Sequence, residues 1–323
     1  MGRRVKVTVD ITPLRLTRAG TARYIENLLS RLGPVDTIAF GGSGRASVLA
    51  RELWWYPVRL SRLSSDVLHC TTYYAPLRPR AASVVTVHDL AVLRYPESFP
   101  RWTRTYVPRV VPHGLRAARR VIAVSRFTAG ELEARLAIPA DRIAVVPHAV
   151  AETFGAEGER ADGDYVLTVG TLEPRKNLPR AIAAAARLGV ELRIAGARGW
   201  GGIEARGHGV TWLGRIDDAE LAAQYRGARC LVYPSLYEGF GLPVLEAMAC
   251  GTPVVTSAGG ATEEVAGGAA VLVDPVDIAG IASGIEEAEL RRDVLRDLGL
   301  ARAAGFSWPE SARLTRAVYE EAA

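Results

Sequence analysis

The sequence has few cysteines and no apolar run long enough to cross a bilayer. Its three cysteines, Cys70, Cys230 and Cys250, lie in apolar runs without metal-ligand spacing, so we expect buried, reduced thiols. No signal sequence precedes the first strand-like run, which begins at Val5. These absences predict a soluble cytoplasmic protein.

Two common nucleotide-binding motifs are also absent. The chain has no G-x-x-x-x-G-K-[ST] phosphate loop and no G-x-G-x-x-G after a strand, which argues against an ATPase and an ordinary dinucleotide dehydrogenase. His69, His113 and His208 have no partner ligands at metal-binding spacing. We therefore predict that the protein has no metal site.

Lysine is nearly absent, since only Lys6 and Lys176 among the 40 basic residues are lysines. Lys176 lies in the turn Arg175-Lys176-Asn177, shortly after a strand-like run at 165–169. Its ammonium is a compact, mobile charge that arginine does not reproduce, and the Arg-Lys pair can hold a diphosphate from two directions. The alternative interpretation is a solvated basic turn.

Two glutamates, Glu238 and Glu246, stand eight positions apart with a glycine- and proline-rich turn between them. Glycines favour a sharp loop and Pro243 suits the first turn of a helix, so we expect Glu238 in the loop and Glu246 in the helix. Such a loop would present backbone N–H groups at a helix N-terminus, where polyhydroxylated or anionic ligands bind.

Strand-like and helical patterns alternate along the whole chain, which at 323 residues has enough material for two domains. Nearly continuous apolar strands separated by helices predict parallel sheets covered on both faces. One series of strands lies within 5–147 and a second within 165–273. Two doubly wound sheets should therefore face a cleft, with ligands at the carboxyl ends of the strands.

Both candidate segments closely resemble the retaining glycosyltransferases of family 4, which have the GT-B fold. The resemblance rests on Glu238-x7-Glu246 and on Gly170–Asn177, and it extends to further segments: Gly20–Tyr24, Thr86–Leu90, Val124–Ala129 and Phe306–Trp308. It spans nearly the whole chain and is most specific in the C-terminal half. At Val146–Val150 the chain differs, because many members carry Asn-Gly there.

The resemblance implies a domain organisation and a set of site residues. An acceptor-side Rossmann-like domain would span 1–150, a linker 151–164, a donor-binding domain 165–305, and a C-terminal helix, 306–323, would pack back on the first domain. Glu246 would bind ribose hydroxyls and Glu238 hydroxyls of the transferred sugar, while Arg175 and Lys176 would stabilise the departing diphosphate. The remaining donor-side candidates are Asn177, Gly239, Phe240, Gly241, Leu242 and Gly20.

The segment Thr86–Leu90 supplies the first-domain candidates. His88 follows an apolar strand and would hydrogen-bond the donor hexose. Asp89 would either contact the acceptor or brace the turn, and Asp10, at the end of the first strand, is a further acceptor-side candidate.

The implied reaction moves a hexose from a nucleotide-diphospho-sugar to an acceptor hydroxyl of a glycan, a lipid or a small molecule, with retention and without a metal or other cofactor. A GDP-mannose-like donor is favoured over UDP- or dTDP-sugars. A sugar-nucleotide epimerase or a glycan phosphorylase on the same fold stays open, as does a non-catalytic sugar-nucleotide-binding protein.

Charge is divided unevenly along the chain. Residues 1–150 carry 23 Lys and Arg against 10 Asp and Glu, a net charge of +13, whereas 151–323 carry 17 against 25, a net charge of −8, which together give +5. Arg101–Arg120 is the densest basic block. It would contact anionic lipid at the inner face of the membrane, receive a phosphorylated acceptor, or form a plain basic surface. No recognition module accompanies the charge, so nucleic acid is not an expected partner.

Overall fold

The computed structural model describes residues 5–15, 20–42, 50–51, 55–60, 64–77 and 81–323. The chain forms two compact units. The first comprises Met1–His148 and Trp308–Ala323, and the second comprises Ala149–Ser307.

The first unit contains a six-stranded parallel sheet with the strand order β2-β1-β3-β4-β5-β6 among the described residues. Its strands are β1 Val7–Asp10, β2 Asp36–Ile38, β3 Val67–Cys70, β4 Ala82–Val87, β5 Arg120–Ala123 and β6 Ile143–Val145. Its helices are α1 Gly20–Leu32, α2 Tyr56–Leu60, α3 Ala91–Arg94, α4 Arg101–Ala117 and α5 Arg126–Leu136. Ser125 accepts a hydrogen bond from Thr128 N at 3.0 Å and caps the start of α5.

The second unit contains another six-stranded parallel sheet, in the order β12-β11-β10-β7-β8-β9. Its strands are β7 Tyr165–Val169, β8 Glu191–Ala195, β9 Val210–Gly214, β10 Leu231–Tyr233, β11 Val254–Ser257 and β12 Val271–Val273. Its helices are α6 Leu178–Leu188, α7 Asp218–Gly227, α8 Leu242–Ala249, α9 Ala261–Ala266, α10 Ile278–Leu290 and α11 Arg292–Ala304.

The sheets confirm the prediction made from near-continuous apolar strands. Central strands such as β4 and β10 are buried along almost their whole length because helices cover both faces of a parallel sheet. Each unit has its own apolar core, built around Val85 and Leu115 in the first and around Val166 and Ile281 in the second. All three cysteines are buried and free, as expected.

The last helix, α12 Trp308–Ala322, belongs to the first unit although the whole second unit precedes it in the chain. The hydroxyl of Tyr319 lies 2.7 Å from Nδ1 of the fully buried His69 in β3, and Ser311 Oγ donates to Pro147 O at 2.6 Å. The helix therefore completes the covering of the first sheet, as predicted.

The segment 151–164 contains no helix or strand. It is held against α7, because Arg226 donates from Nε to Glu159 O at 2.6 Å and from Nη1 to Gly155 O at 3.0 Å. These contacts attach the segment to the second unit.

Candidate active site

The turn that follows β7 carries the two cations of the second unit's candidate site. Gly170, with φ of +146°, and Gly196 allow the chain to pass closely, since a Cβ on Gly196 would lie 1.9 Å from Gly170 O. The turn Pro174–Lys176 lies against the loop after β10, where Leu236 N donates a hydrogen bond to Arg175 O at 2.8 Å. Backbone contacts therefore fix Arg175 and Lys176 next to the glutamate loop.

Glu238 accepts hydrogen bonds from both cations. Its Oε2 receives Arg175 Nη1 at 2.9 Å, and its Oε1 receives Lys176 Nζ at 2.6 Å and the Tyr233 hydroxyl at 2.8 Å. Glu173, whose side chain is buried, pairs with Arg175 Nη2 at 2.7 Å. We call these five residues, Glu173, Arg175, Lys176, Tyr233 and Glu238, the ion cluster.

Electrostatics hold the ion cluster in its charged form. Burial alone would raise the pKa of Glu238, but the charges of Lys176 and Arg175 outweigh it and lower that pKa to about 2. Burial lowers the pKa of Lys176, and the charge of Glu238 opposes this effect. Two carboxylates and two cations leave the cluster with no net charge, so its attraction for an anion depends on how its donors are arranged.

Glu246 lies in α8 and Glu238 lies in the preceding loop, which confirms the prediction for both residues. Gly241 caps α8 with φ of +103°, and a Cβ there would lie 2.9 Å from Thr262 Cγ2, so the position requires glycine. Glu246 is buried and accepts a hydrogen bond from the Tyr225 hydroxyl at 3.1 Å. This contact fixes the carboxylate at one oxygen.

The residues between the two glutamates are placed by packing. The ring of Phe240 is buried and meets Phe306 edge-on at a centroid distance of 5.9 Å. Gly239 is also buried, and Leu242 begins α8 half-buried. Phe240 therefore anchors the loop.

Asn177 connects three loops at the carboxyl ends of the strands. Its Nδ2 donates to Pro234 O at 2.9 Å and to Pro275 O at 2.6 Å, and its Oδ1 accepts from Arg180 Nη1 at 2.8 Å. The side chain is almost fully buried, so its contacts are those of a residue that holds the rim of the site together.

His88, in the first unit, has partners at both ring nitrogens. Nε2 lies 2.9 Å from Thr71 O and must donate to it, because a carbonyl only accepts. Nδ1 then accepts from His148 Nε2 at 3.2 Å, and the two rings stack with centroids 5.2 Å apart. Burial lowers the pKa of both histidines, so the pair is neutral near pH 7.

The remaining first-unit candidates occupy ends of elements. Asp89 Oδ1 accepts from Ala91 N at 3.0 Å and so braces the start of α3. Asp10 is buried at the end of β1, where Oδ1 accepts from Thr12 N at 2.8 Å and Oδ2 accepts from the Tyr56 hydroxyl. Gly20 is the first residue of α1.

Four side chains that hydrogen-bond or form ion pairs with Arg175, Glu238, Glu246 or His88 were not predicted as site residues: Glu173, Tyr225, Tyr233 and His148. Glu173 stands inside the Gly170–Asn177 motif, so its position next to Arg175 was a usable signal. Tyr225 and Tyr233 belong to apolar helix and strand patterns, which predict core residues rather than partners of glutamates. His148 lies where the sequence departs from the Asn-Gly of many family members.

Among the described residues, no group of three or more His, Cys, Asp and Glu side chains is arranged to hold a metal ion. Within the same part of the chain, every helix is too short or too polar to cross a membrane.

Two six-stranded parallel sheets with a C-terminal helix returning to the first define a protein of the GT-B glycosyltransferase fold. Sucrose-phosphate synthase from Thermosynechococcus elongatus superimposes with a TM-score of 0.80 over 98% of both chains at 21% identity. A family model described as Glycosyltransferase Family 4 matches residues 10–154, and one described as Glycosyl transferases group 1 matches residues 150–301.

Curated relatives agree with these family models. O-antigen chain mannosyltransferase B of Escherichia coli is 34% identical over 283 residues, which cover 79% of this chain and 74% of that protein. O-antigen chain mannosyltransferase RfbU of Salmonella typhimurium is 27% identical over 303 residues, covering 85% and 81%. The chain belongs to glycosyltransferase family 4 and is a glycosyltransferase.

Proposed function

We propose that the enzyme transfers a hexose from a nucleotide-diphospho-sugar, with GDP-mannose as the favoured donor, to a hydroxyl of a glycan, lipid or small-molecule acceptor. The anomeric configuration is retained and no metal takes part. The observation that carries the proposal is the placement of Arg175 and Lys176 on the carboxylate of Glu238 at the carboxyl edge of the second sheet. The mannosyltransferase names of the two relatives support the choice of sugar.

Lys176 is the cation best placed to meet a diphosphate. Its ammonium has three N–H donors, of which one goes to Glu238 and one to the Tyr233 hydroxyl, at 2.6 Å each. The third is available to a phosphate oxygen. Arg175, by contrast, is committed to the carboxylates of Glu173 and Glu238, so its main role is to orient Glu238 toward the sugar.

Glu246 is the second residue that binds the nucleotide-sugar donor. Its carboxylate, oriented by the Tyr225 hydroxyl at 3.1 Å, is the acceptor for the ribose hydroxyls in this proposal. In a buried position such bonds are strong because water does not compete. As the bond to the leaving diphosphate breaks, Lys176 stabilises the growing negative charge.

The nucleotide preference can be measured directly by calorimetric titration with GDP, UDP, ADP and dTDP. We expect one of them, GDP by this proposal, to bind at least about tenfold more tightly than the others, and its affinity to be weakened in Glu246→Gln. Turnover with the matching sugar nucleotide, followed by NMR of the product, should show the donor's anomeric configuration. Activity should persist in EDTA, and inversion or loss of activity would contradict the proposal.

The contribution of Lys176 can be tested against the only other lysine in the chain. Lys176→Ala should lower kcat/KM by a factor corresponding to about 2–4 kcal/mol, the cost of one electrostatic donor. Lys6, which is exposed in the first unit, provides the matched control, and Lys6→Ala should leave kcat/KM unchanged. A fall of less than about tenfold in Lys176→Ala, with intact folding, would remove Lys176 from the mechanism.

A further inference from the structure

A cavity of about 500 Å³ opens in the first unit beside α3, α4 and α5. None of its lining residues belongs to the ion cluster or to the other candidate site residues. The lining consists of Leu93, Pro108, Arg109, Pro112, His113, Arg116, Arg135 and Leu136.

The polar part of this lining is entirely basic. Arg109, His113 and Arg116 recur at intervals of four and three residues, which places them on one exposed face of α4. Arg135, on α5, also lines the cavity and forms an ion pair with Glu131 at 2.7 Å. In the described part of the chain neither Arg109 nor Arg116 makes an ion pair, so no described carboxylate compensates their positive charges.

The apolar residues of the same helix face the other way. Tyr106 and Val107 are buried, and Trp102 stacks on Tyr106 with ring centroids 5.1 Å apart while packing against the core. These apolar residues therefore pack inward, and contact of Arg101–Arg120 with anionic lipid stays a prediction. The outer face of α4 is basic and the inner face is apolar.

Backbone carbonyls hold the basic side chains of the cavity in place. Arg109 Nη1 donates to Thr105 O at 2.6 Å, and Arg116 Nε donates to Leu136 O at 3.2 Å. His113 Nδ1 donates to Arg109 O at 2.8 Å. Each guanidinium is thus oriented by one N–H and keeps other N–H groups for a ligand. Because these side chains are already ordered, less conformational entropy is lost when a ligand binds.

We propose that this cavity binds a phosphoryl group, carried as a phosphate monoester or a diphosphate. Guanidinium groups match the oxygens of such a group with paired N–H donors, and the unpaired charges of Arg109 and Arg116 offset its negative charge. Like charges brought together repel, and a bound anion relieves that repulsion. All of the lining residues belong to the first unit, whereas Lys176 belongs to the second.

His113 provides a local reporter for binding. Three of the five histidines, His69, His88 and His148, lie in the buried networks of the first unit, which leaves the exposed His113 and His208. His208 belongs to the second unit and serves as an internal control. With histidine-selective labelling, NMR should show saturable movement of the His113 ring resonances as inorganic pyrophosphate is added at constant ionic strength, while those of His208 stay in place.

A matched pair of double variants separates the cavity from general surface charge. Arg109→Gln with Arg116→Gln should weaken the response of His113 to pyrophosphate by about tenfold or more, the scale of one hydrogen bond to a charged group. Arg101→Gln with Arg104→Gln removes the same charge from exposed positions of α4 that do not line the cavity, and should leave the affinity within about twofold. Equal effects of the two pairs, or equal movement of His113 and His208, would overturn the proposal.

The source of the phosphoryl group can be distinguished with vesicles. If the ligand is lipid-borne, phosphatidylcholine vesicles containing a polyprenyl diphosphate should bind the protein, and the Arg109/Arg116 variant should bind them less. If it is soluble, inorganic phosphate or pyrophosphate alone should saturate the cavity and such vesicles should add nothing. Vesicle binding that phosphatidylglycerol supports equally well and that the variant keeps, without a His113 response to pyrophosphate, would contradict a discrete phosphoryl site.

Discussion

Tyr233 controls how Lys176 and Glu238 face each other. Its hydroxyl accepts a hydrogen bond from Lys176 Nζ at 2.6 Å and donates one to Glu238 Oε1 at 2.8 Å. Burial raises the pKa of Tyr233 well above 10, so the phenol keeps the proton that it donates. We therefore infer that Tyr233 is a positioning residue that acts through the two charged groups.

Tyr233→Phe should lower kcat by about tenfold, or about 1.4 kcal/mol, with little change in KM, because both hydrogen bonds that orient Lys176 and Glu238 are lost while these two groups remain. Burial already lowers the pKa of Lys176, and losing an acceptor for its ammonium should lower that pKa further. Lys176 is charged only below its pKa, so the alkaline limb of the kcat–pH profile should move to lower pH.

Tyr165→Phe is a suitable control for Tyr233→Phe. It also removes a buried hydroxyl, which donates to Gln224 O at 2.8 Å, but this hydroxyl does not contact the ion cluster. The control should lose some stability and keep the pH profile of the wild type. The same alkaline shift in both variants would show that Tyr233 has only a structural role.

At the scale of single residues, the sequence predicts the charged site residues better than the neutral residues that hydrogen-bond to them. Glu238 and Lys176 stand out because charged residues are rare in apolar surroundings and lysine is rare in this chain. Tyr233 ends an apolar strand, where aromatic residues usually serve packing. Its hydrogen bonds depend on which loops the strand order places side by side, and the local sequence does not indicate that order.

The loops after β7, β10 and β12 are joined by one side chain. Asn177 donates to carbonyls in the second and third of these loops and itself ends the turn in the first. Its φ of +58° is a left-handed conformation that asparagine tolerates better than most residues. The segment that begins α6 therefore fixes the rim on which the ion cluster is built.

Asn177→Gly and Asn177→Ala should separate the two contributions of this residue. Both variants leave two carbonyls without their donor, which should cost about 1–3 kcal/mol of unfolding free energy for each carbonyl that stays buried. Asn177→Ala should cost about 1 kcal/mol more, because alanine is strained at positive φ. Denaturant unfolding at constant m-value measures both differences.

Ala137 tests the same effect of positive φ with the reverse substitution, to glycine. It is the other non-glycine residue with positive φ in the described chain, at +51° after α5. Ala137→Gly should be neutral or stabilising, since the helix C-terminus favours glycine in this conformation. If Asn177→Gly costs as little as Ala137→Gly, the amide contacts contribute nothing to the rim.

Elements were predicted more completely than contacts between them. Both predicted series of strands are present, each as a parallel sheet, because a buried parallel strand leaves a local pattern. The orientation of α4 was less evident, since its arginines and aromatic residues alternate along the sequence. Only the helical repeat separates them into a basic face and an apolar face.

The buried histidines of the first unit are neutral, whereas the buried Glu238 of the second unit is charged. The first unit buries His69, His88 and His148 as neutral rings, and burial lowers the pKa of His69 to about 3. The second unit buries Glu238 as an anion with a pKa of about 2. Unfolding would return the histidines to a pKa of about 6.5 and the glutamate to about 4.3, so acid should act on the two units in different pH ranges.

Between pH 6.5 and 4.5 the first unit alone should lose stability. In that range the unfolded histidines bind protons that the folded ones do not, so the free energy of unfolding falls as pH falls, by about 2 kcal/mol for His69 at pH 5. Glu238 contributes stability that is present above about pH 4.5 and is lost only as pH falls toward 2.

Hydrogen exchange followed by mass spectrometry, corrected for the intrinsic effect of pH, resolves the two units within the intact chain. Peptides from β3, β4 and α12 should lose protection from about pH 6 downward, while peptides from β10 and α8 should keep it until below about pH 4.5. His208→Gln, at an exposed position, should leave both curves unchanged. Parallel loss in both units from pH 6.5, or protection of the first unit down to pH 4.5, would show that the buried histidines do not govern its acid stability.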